Sequence, residues 1–305
     1  MDFFSKVIVD NQKDKISFDD HLLFLGSCFA SEIGGRMEDC GFDVVVNPFG
    51  MLFNPASIEF ALSNLAKSGE RYEGEIIKRE DLFFDLMHGS EFCGFSQEEL
   101  ISKLNQNLEL VREKFRKATV IVITLGTSWI YRYLATNRIV SNCHKLPSSN
   151  FRREFLDINK TYNILKQCIE MAPDKRWIFT VSPVRHLKDG AHGNQLSKSS
   201  LLLAVDKICK DYSNCEYFPA YEIVLDELRD YRFYAEDLVH PSKVAADYIF
   251  DRFSESWISE KCYSKMSDFR RLKLMKSHRP ILPEGAEYSK FISKVEELEQ
   301  KLKKK

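Results

Sequence analysis

Leu22-Leu23-Phe24-Leu25-Gly26-Ser27-Cys28-Phe29-Ala30 opens with four apolar residues stopped by a glycine. A short unbroken apolar run of this kind is what a strand buried on both faces of a parallel sheet leaves in a sequence. The sign recurs at Val44 to Val46, Val120 to Leu125, Trp177 to Val181 and, more weakly, Glu216 to Phe218. A helix candidate follows each run. Ser57 to Lys67 and Glu98 to Lys117 read as helices, and Ile158, Tyr162, Leu165 and Ile169 form a stripe at helical spacing. Leu201, Ala204, Val205 and Ile208 form another behind Ser197, which reads as an N-cap, and Val244, Tyr248 and Phe253 follow His240-Pro241-Ser242. Strict alternation of strand and helix predicts an α/β fold, a doubly wound parallel sheet of five strands with helices on both faces.

Two stretches break the rhythm. Residues 68 to 96 mix aromatics, charges and glycines without a clear period. Trp129 to His144 alternates Trp129, Tyr131 and Tyr133 around Thr136-Asn137, which predicts a β-hairpin. Both are expected as insertions at the sheet rim, where loops of open α/β sheets hold ligands. Asp189 to Asn194, with two glycines, reads as a surface loop able to act as a lid. The apolar runs stop after Trp257, which divides the chain into a domain over 1–258 and a basic helical extension over 259–305. In the extension Ile292, Val295, Leu298 and Leu302 share one helix face, suited either to docking or to pairing two copies of the chain, with a mostly solvated tail helix as the alternative.

With 305 residues, 44% hydrophobic, the chain is long enough to bury a full core. Its 44 Lys and Arg nearly balance 45 Asp and Glu, so no overall field exists to hold nucleic acid or an anionic membrane. No apolar run approaches spanning length and the first residues soon turn polar, which points away from membrane insertion and secretion and toward the cytoplasm. Eight cysteines without a repeated spacing or a Cys-x-x-Cys pair read as reduced thiols, mostly buried.

The chemistry is expected at Gly26-Ser27 and at Asp237-Leu238-Val239-His240-Pro241. In a parallel sheet the first and last strand ends lie on one rim, so the two segments can meet there. A serine hydroxyl is a weak nucleophile until an imidazole accepts its proton, and the imidazole works best when a carboxylate fixes its tautomer. Ser27, His240 and Asp237 supply these three groups. The bland alternatives are Ser27 as a helix N-cap and Asp237 and His240 as a capped helix start. Cys28, at a helix N-terminus near a histidine, is a rival nucleophile. His88, Cys143, His144, His186 and His192 fall in rim segments but lack metal-ligand spacing, so neither a metal nor any other cofactor is expected. Arg185-His186, after strand four, suits an anion or a sugar hydroxyl, with a rim salt bridge as the alternative use of Arg185. A phosphate-binding protein lacks support, because no glycine-rich phosphate loop follows strand one.

The blocks Gly26 to Ala30, Asn47-Pro48-Phe49-Gly50, Phe53-Asn54-Pro55, Thr124 to Thr127, Asn142-Cys143-His144-Lys145, Ser182 to His186 and Asp237 to Pro241 together resemble the GSCFA family, a bacterial group within the SGNH (GDSL-like) hydrolases. The resemblance implies a flavodoxin-like three-layer α/β/α sandwich and ester or acyl chemistry. It makes Ser27 the nucleophile and its amide the first oxyanion donor, with the amide of Gly50 as the second. SGNH enzymes usually carry an asparagine two residues after the glycine that ends strand three. Here Gly126 is followed by Thr127, Ser128 and Trp129. A hydroxyl of Thr127 or Ser128 takes its place, or Asn142 reaches in from the hairpin, or only two donors exist. Asn47, Asn54, His144, Arg185 and His186 are the remaining candidates to contact substrate. The implied activity is a serine esterase acting on short acyl, chiefly acetyl, esters of a carbohydrate or small metabolite. An O-acyltransferase using the same triad and a non-catalytic binding protein are the alternatives.

Overall fold

In the computed structural model, which describes residues 5–67, 69–278 and 286–303, the opening run forms strand β1 (His21–Gly26) and leads through Ser27 into helix α1 (Cys28–Asp39). The chain continues through β2 (Asp43–Val46), α2 (Pro55–Ala66), β3 (Ile76–Arg79), β4 (Leu82–Asp85), β5 (Cys93–Gly94), α3 (Gln97–Lys117) and β6 (Val120–Leu125). Then come β7 (Trp129–Tyr133), β8 (Arg138–Val140), β9 (Phe151–Phe155), α4 (Ile158–Met171), β10 (Arg176–Val181), α5 (Gly190–Asp211) and β11 (Cys215–Tyr217). Helices α6 (Ala220–Glu222), α7 (Lys243–Trp257), α8 (Tyr263–Ser277) and α9 (Ala286–Lys303) complete it.

The central sheet has the order β11-β10-β6-β1-β2, all parallel. Counted along the chain that order is 2-1-3-4-5, the flavodoxin-like arrangement. Alternation in the strands feeds two cores. Leu23, Leu25, Ile121 and Ile123 pack under α2 to α5, whereas Leu22, Phe24, Val120 and Val122 pack under α1 and α7. These are the three layers, with the five predicted strands in place.

The irregular segments form two small antiparallel sheets. Residues 68 to 96 supply β3-β4-β5, and the expected hairpin is β7-β8, turned through Asn137 at φ +57° and joined by β9. Two expectations change. The segment from Asp189 to Asn194 is not a loop but the entry into α5, and Ser197 lies inside that helix instead of capping it. Gly190 and Gly193 hid the first turns, yet Asn194 ties them down by accepting the His186 amide at 2.9 Å. In the extension, the stripe of α9 docks on α8 of the same chain, where Val295, Leu298 and Leu302 meet Phe269, Leu272 and Met275.

Candidate active site

Gly26 ends β1 at φ +146°, and a Cβ there would stand 2.2 Å from the Thr124 carbonyl oxygen, so only glycine lets β1 and β6 converge at the rim. Ser27 follows with extended backbone and caps α1. Its Oγ accepts the Phe29 amide at 3.3 Å, and the residue is 1% exposed. The segment from Asn47 to Asn54 crosses the ends of the two strands, Leu52 N–H donating to Gly26 O at 2.8 Å and Gly126 N–H to Phe53 O at 2.8 Å. Asn47, left-handed at φ +43°, clamps this crossing: its Oδ1 accepts the Gly26 amide at 2.8 Å and its Nδ2 donates to Ser31 Oγ at 2.9 Å.

The carboxylate and imidazole form a tight pair. Asp237 Oδ2 and His240 Nδ1 are 2.6 Å apart, with the two side chains 50% and 48% exposed. Asp237 Oδ1 accepts the amides of Val239 and His240, both at 2.9 Å. The left-handed Leu238, at φ +58°, is what turns those amides toward the carboxylate. Both amides, with the imidazole, hold the Asp237 carboxyl down at about 2, so it is ionised at any neutral pH. Ser242 then caps α7, accepting the Ala245 amide at 3.3 Å. Pro241, beside the imidazole, lines one cleft with Ser31, Glu32 and Arg36 of α1. No hydrogen bond joins Ser27 Oγ to His240 among the described residues; the hydroxyl is turned to its cap.

His186 is drawn to the same edge. Its Nε2 lies 3.3 Å from where a Cβ on Gly126 would be, and its ring packs edge-on against Phe53. Burial pulls its imidazole down to about 4, helped by the charges of Lys198, Arg153 and His240 and opposed by Asp189. It is therefore neutral at pH 7. Arg185, half-buried beside it, makes no hydrogen bond or ion pair among the described residues.

Other candidates spend their polar atoms on the scaffold. Ser27 N–H donates to Thr124 O at 3.0 Å and Gly50 N–H to Asn47 O at 2.9 Å, so in this state both expected oxyanion amides are occupied. Gly50 remains sterically obligatory: at φ +81° a Cβ would stand 2.6 Å from Gly89 Cα. Thr127 and Ser128 are stapled to α5 through Ser197. Thr127 Oγ1 meets Ser197 Oγ at 3.1 Å, and Ser128 Oγ donates to Ser197 O at 2.8 Å. Asn142 Oδ1 accepts the His144 amide at 2.9 Å, and Asn54 caps α2 by accepting from Ser57 at 2.9 Å. His144 is buried, stacked on Phe84 and 2.8 Å from Asp85 O, and burial lowers its imidazole below the usual range. Cys28 is half-buried and its thiol is pushed up by burial, which opposes a reactive thiolate. Among the described residues no group of three His, Cys, Asp or Glu side chains is disposed to hold a metal ion.

One residue that no motif marks stands out. Lys198, 0% exposed, reaches up from α5 to the ends of two strands and donates from Nζ to Gly126 O at 2.6 Å and Ser182 O at 2.7 Å. Burial pulls its ammonium down to about 7; Arg185 adds to this, while Cys28 and Asp189 act against it. The signal was in the helical period. Carried back over two turns, the Leu201 and Val205 stripe of α5 falls on Ser197 and Lys198 and then Asn194, a buried face too polar to serve packing alone.

The profile of the GSCFA family matches residues 21–253, the span from the start of β1 into α7. The chain belongs to the GSCFA family. No curated protein matches it in sequence. Among solved structures, this GSCFA chain is similar to the periplasmic domain of a lipopolysaccharide acetyltransferase from Salmonella ser. Paratyphi A, at 13% identity and a TM-score of 0.33 over 79% of this chain and 84% of that one. The family profile spans Ser27, Asp237 and His240 alike. No helix among the described residues of the GSCFA chain is long and apolar enough to cross a membrane.

Proposed function

We propose that this GSCFA protein is a serine acyl-ester enzyme of the SGNH type, acting on short acyl, chiefly acetyl, esters of a carbohydrate or small metabolite. The observation that carries this reading is the Asp237–His240 pair, with Nδ1 held at 2.6 Å and the ring half-exposed beside the helix that Ser27 begins. An ionised carboxylate on Nδ1 leaves Nε2 as the acceptor a serine proton requires. In the working cycle Ser27 Oγ leaves the Phe29 amide by a side-chain rotation and takes up His240 Nε2, a bond of the kind that free enzymes often leave long or unmade. Ser27 attacks the acyl carbon and His240 takes its proton. His240 then returns the proton to the leaving alkoxide, and Asp237 stabilises the imidazolium between the two steps. Water or a sugar hydroxyl next attacks the acyl-serine by the same relay, giving hydrolysis or acyl transfer. Arg185 and neutral His186, at the open edge, are suited to hold the part of the substrate that carries the ester.

A fluorophosphonate probe tests this. Labelling of the folded protein that is lost in Ser27→Ala supports it, and a folded protein that resists the probe refutes it. The buried, cap-bonded Ser27 favours the second reading, a binding protein on the same scaffold, and resistance to the probe is the result that reading expects. Acetyl-ester turnover measured with and without carbohydrate acceptors separates hydrolase from transferase.

A further inference from the structure

The amides of Ser27 and Gly50 are spent on Thr124 and Asn47, and no asparagine follows Gly126, so the usual sources of an oxyanion hole are poorly filled. The face of α5 beneath the same strand ends is rich in donors. The two carbonyls bonded to Lys198 Nζ use two of the three donors an ammonium carries. One turn earlier, Asn194 is 2% exposed; its Oδ1 is taken by the His186 amide, and its Nδ2 has no partner among the described residues. A buried amide group left unpaired is costly and a buried cation more so, and a fold that keeps both has a use for them. The facing charged and titratable groups are Arg185, Asp189 and His186, the last neutral at pH 7, with the thiol of Cys28 from α1, and Asp189 is already engaged by Arg153.

We propose that Lys198 and Asn194 form the anion-stabilising half of the active site, receiving the oxyanion in place of the asparagine that is missing after β6. The inference rests on the serine acyl-ester reading. As the Ser27 Oγ to carbon bond forms and the proton passes to His240, the carbonyl electron pair moves onto oxygen, where the third Lys198 N–H and the Asn194 amide hold it. The pair then re-forms the carbonyl as the bond to the leaving oxygen breaks, and that oxygen takes the His240 proton. A cation in a dry site is worth more to a developing charge than a neutral donor, which explains how the enzyme dispenses with the asparagine. A lysine poised near neutrality also gains its proton more firmly as the anion appears.

The test uses the full chain as wild type, Lys198→Met, Asn194→Leu and Ser27→Ala, each checked for folding by near-ultraviolet circular dichroism. Turnover of p-nitrophenyl acetate and the rate of fluorophosphonate labelling are followed from pH 5 to 9. Lys198→Met should lose ~10²–10³-fold in kcat with KM little changed, and Asn194→Leu a smaller factor. The fall in wild-type rate as pH rises through about 7, where Lys198 sheds its proton, should vanish in Lys198→Met. A separate arm titrates methylphosphonate, a tetrahedral anion, into Ser27→Ala by calorimetry. Binding at pH 6 that is lost at pH 9, and lost when Lys198→Met is added, supports the anion site without any chemistry at Ser27. If the probe never labels wild type while this binding persists, the serine reading fails and the anion site stands. A folded Lys198→Met with wild-type kcat and pH profile, or Ser27→Ala without lysine-dependent anion binding, overturns the inference.

Discussion

Replacing Lys198 by methionine should change how stability depends on pH, independently of any activity. The native ammonium is pulled from its ordinary 10.5 to about 7 by burial, whereas the unfolded chain keeps the ordinary value. Between those limits the unfolded state holds a proton that the native state has released, so stability rises with pH at up to about 1.4 kcal/mol per unit. Below about 7 both states carry the proton and the contribution is flat. Across the whole window from 10.5 down to about 7 the gain is at most about 5 kcal/mol. Lys198→Met also leaves Gly126 O and Ser182 O without their donor, at a cost of ~1–3 kcal/mol each, but that offset does not vary with pH. Cys209 and Cys215, pushed up to about 12 by burial, give a slope of the opposite sign in alkali, and it cancels in the difference between the two proteins. Urea unfolding at pH 7, 8, 9 and 10 measures that difference. A wild-type-minus-variant curve that rises with pH is expected, and a flat one means that Lys198 is not held neutral by its surroundings and the argument is wrong.

Three further outcomes are expected. Asp237→Asn keeps the fold but removes the carboxylate that sets the His240 tautomer, and kcat for an activated ester should drop by ~10³–10⁴; an unchanged rate would remove Asp237 from the mechanism. Gly26→Ala drives a Cβ into the Thr124 carbonyl at 2.2 Å and strains a backbone at φ +146°, so a loss of about 3 kcal/mol or more is expected in chemical unfolding. Asp85, fully buried in β4, accepts from Tyr72 Oη at 2.7 Å and the Glu75 amide at 2.7 Å and pairs with His88. Asp85→Asn should cost ~3–5 kcal/mol near neutrality. Burial opposes the Asp85 charge but its partners outweigh it and lower the carboxyl, so its contribution is present above the ordinary carboxylate range and fades as pH falls. The loss sets in only below the ordinary 3.8, so urea midpoints at pH 7 and pH 3 should show the Asp85→Asn deficit shrinking in acid.

The site was less legible in the sequence than the fold. The nucleophile candidate, the Asp237–His240 pair and the strand end that carries Ser27 could be read from Gly26-Ser27 and Asp237 to His240, because each motif sits at a turn with its own local chemistry. The roles of Asn47, Thr127, Ser128, Asn142 and His144 could not. A polar side chain on a loop is equally suited to a ligand or to a neighbouring backbone, and only the packed loops show that Asn47 spends its amide on Gly26 and Ser31, and Thr127 and Ser128 their hydroxyls on Ser197. Lys198 was hidden for the opposite reason. A lone lysine on a helix reads as solvated, and its burial depends on how α5 lies under two strands far away in the chain.

By itself the sequence determined the alternation of strands and helices, hence the parallel five-stranded sheet, because apolar period and glycine placement act over a few residues at a time. It also determined the Asp237–His240 pair, three residues apart and closed by its own turn. The tertiary structure decided what depends on distant segments meeting: the docking of α9 on α8, the capped and buried state of Ser27, and the lysine beneath the ends of β6 and β10. Burial and electrostatic environment belong to the assembled chain, and no local pattern encodes them.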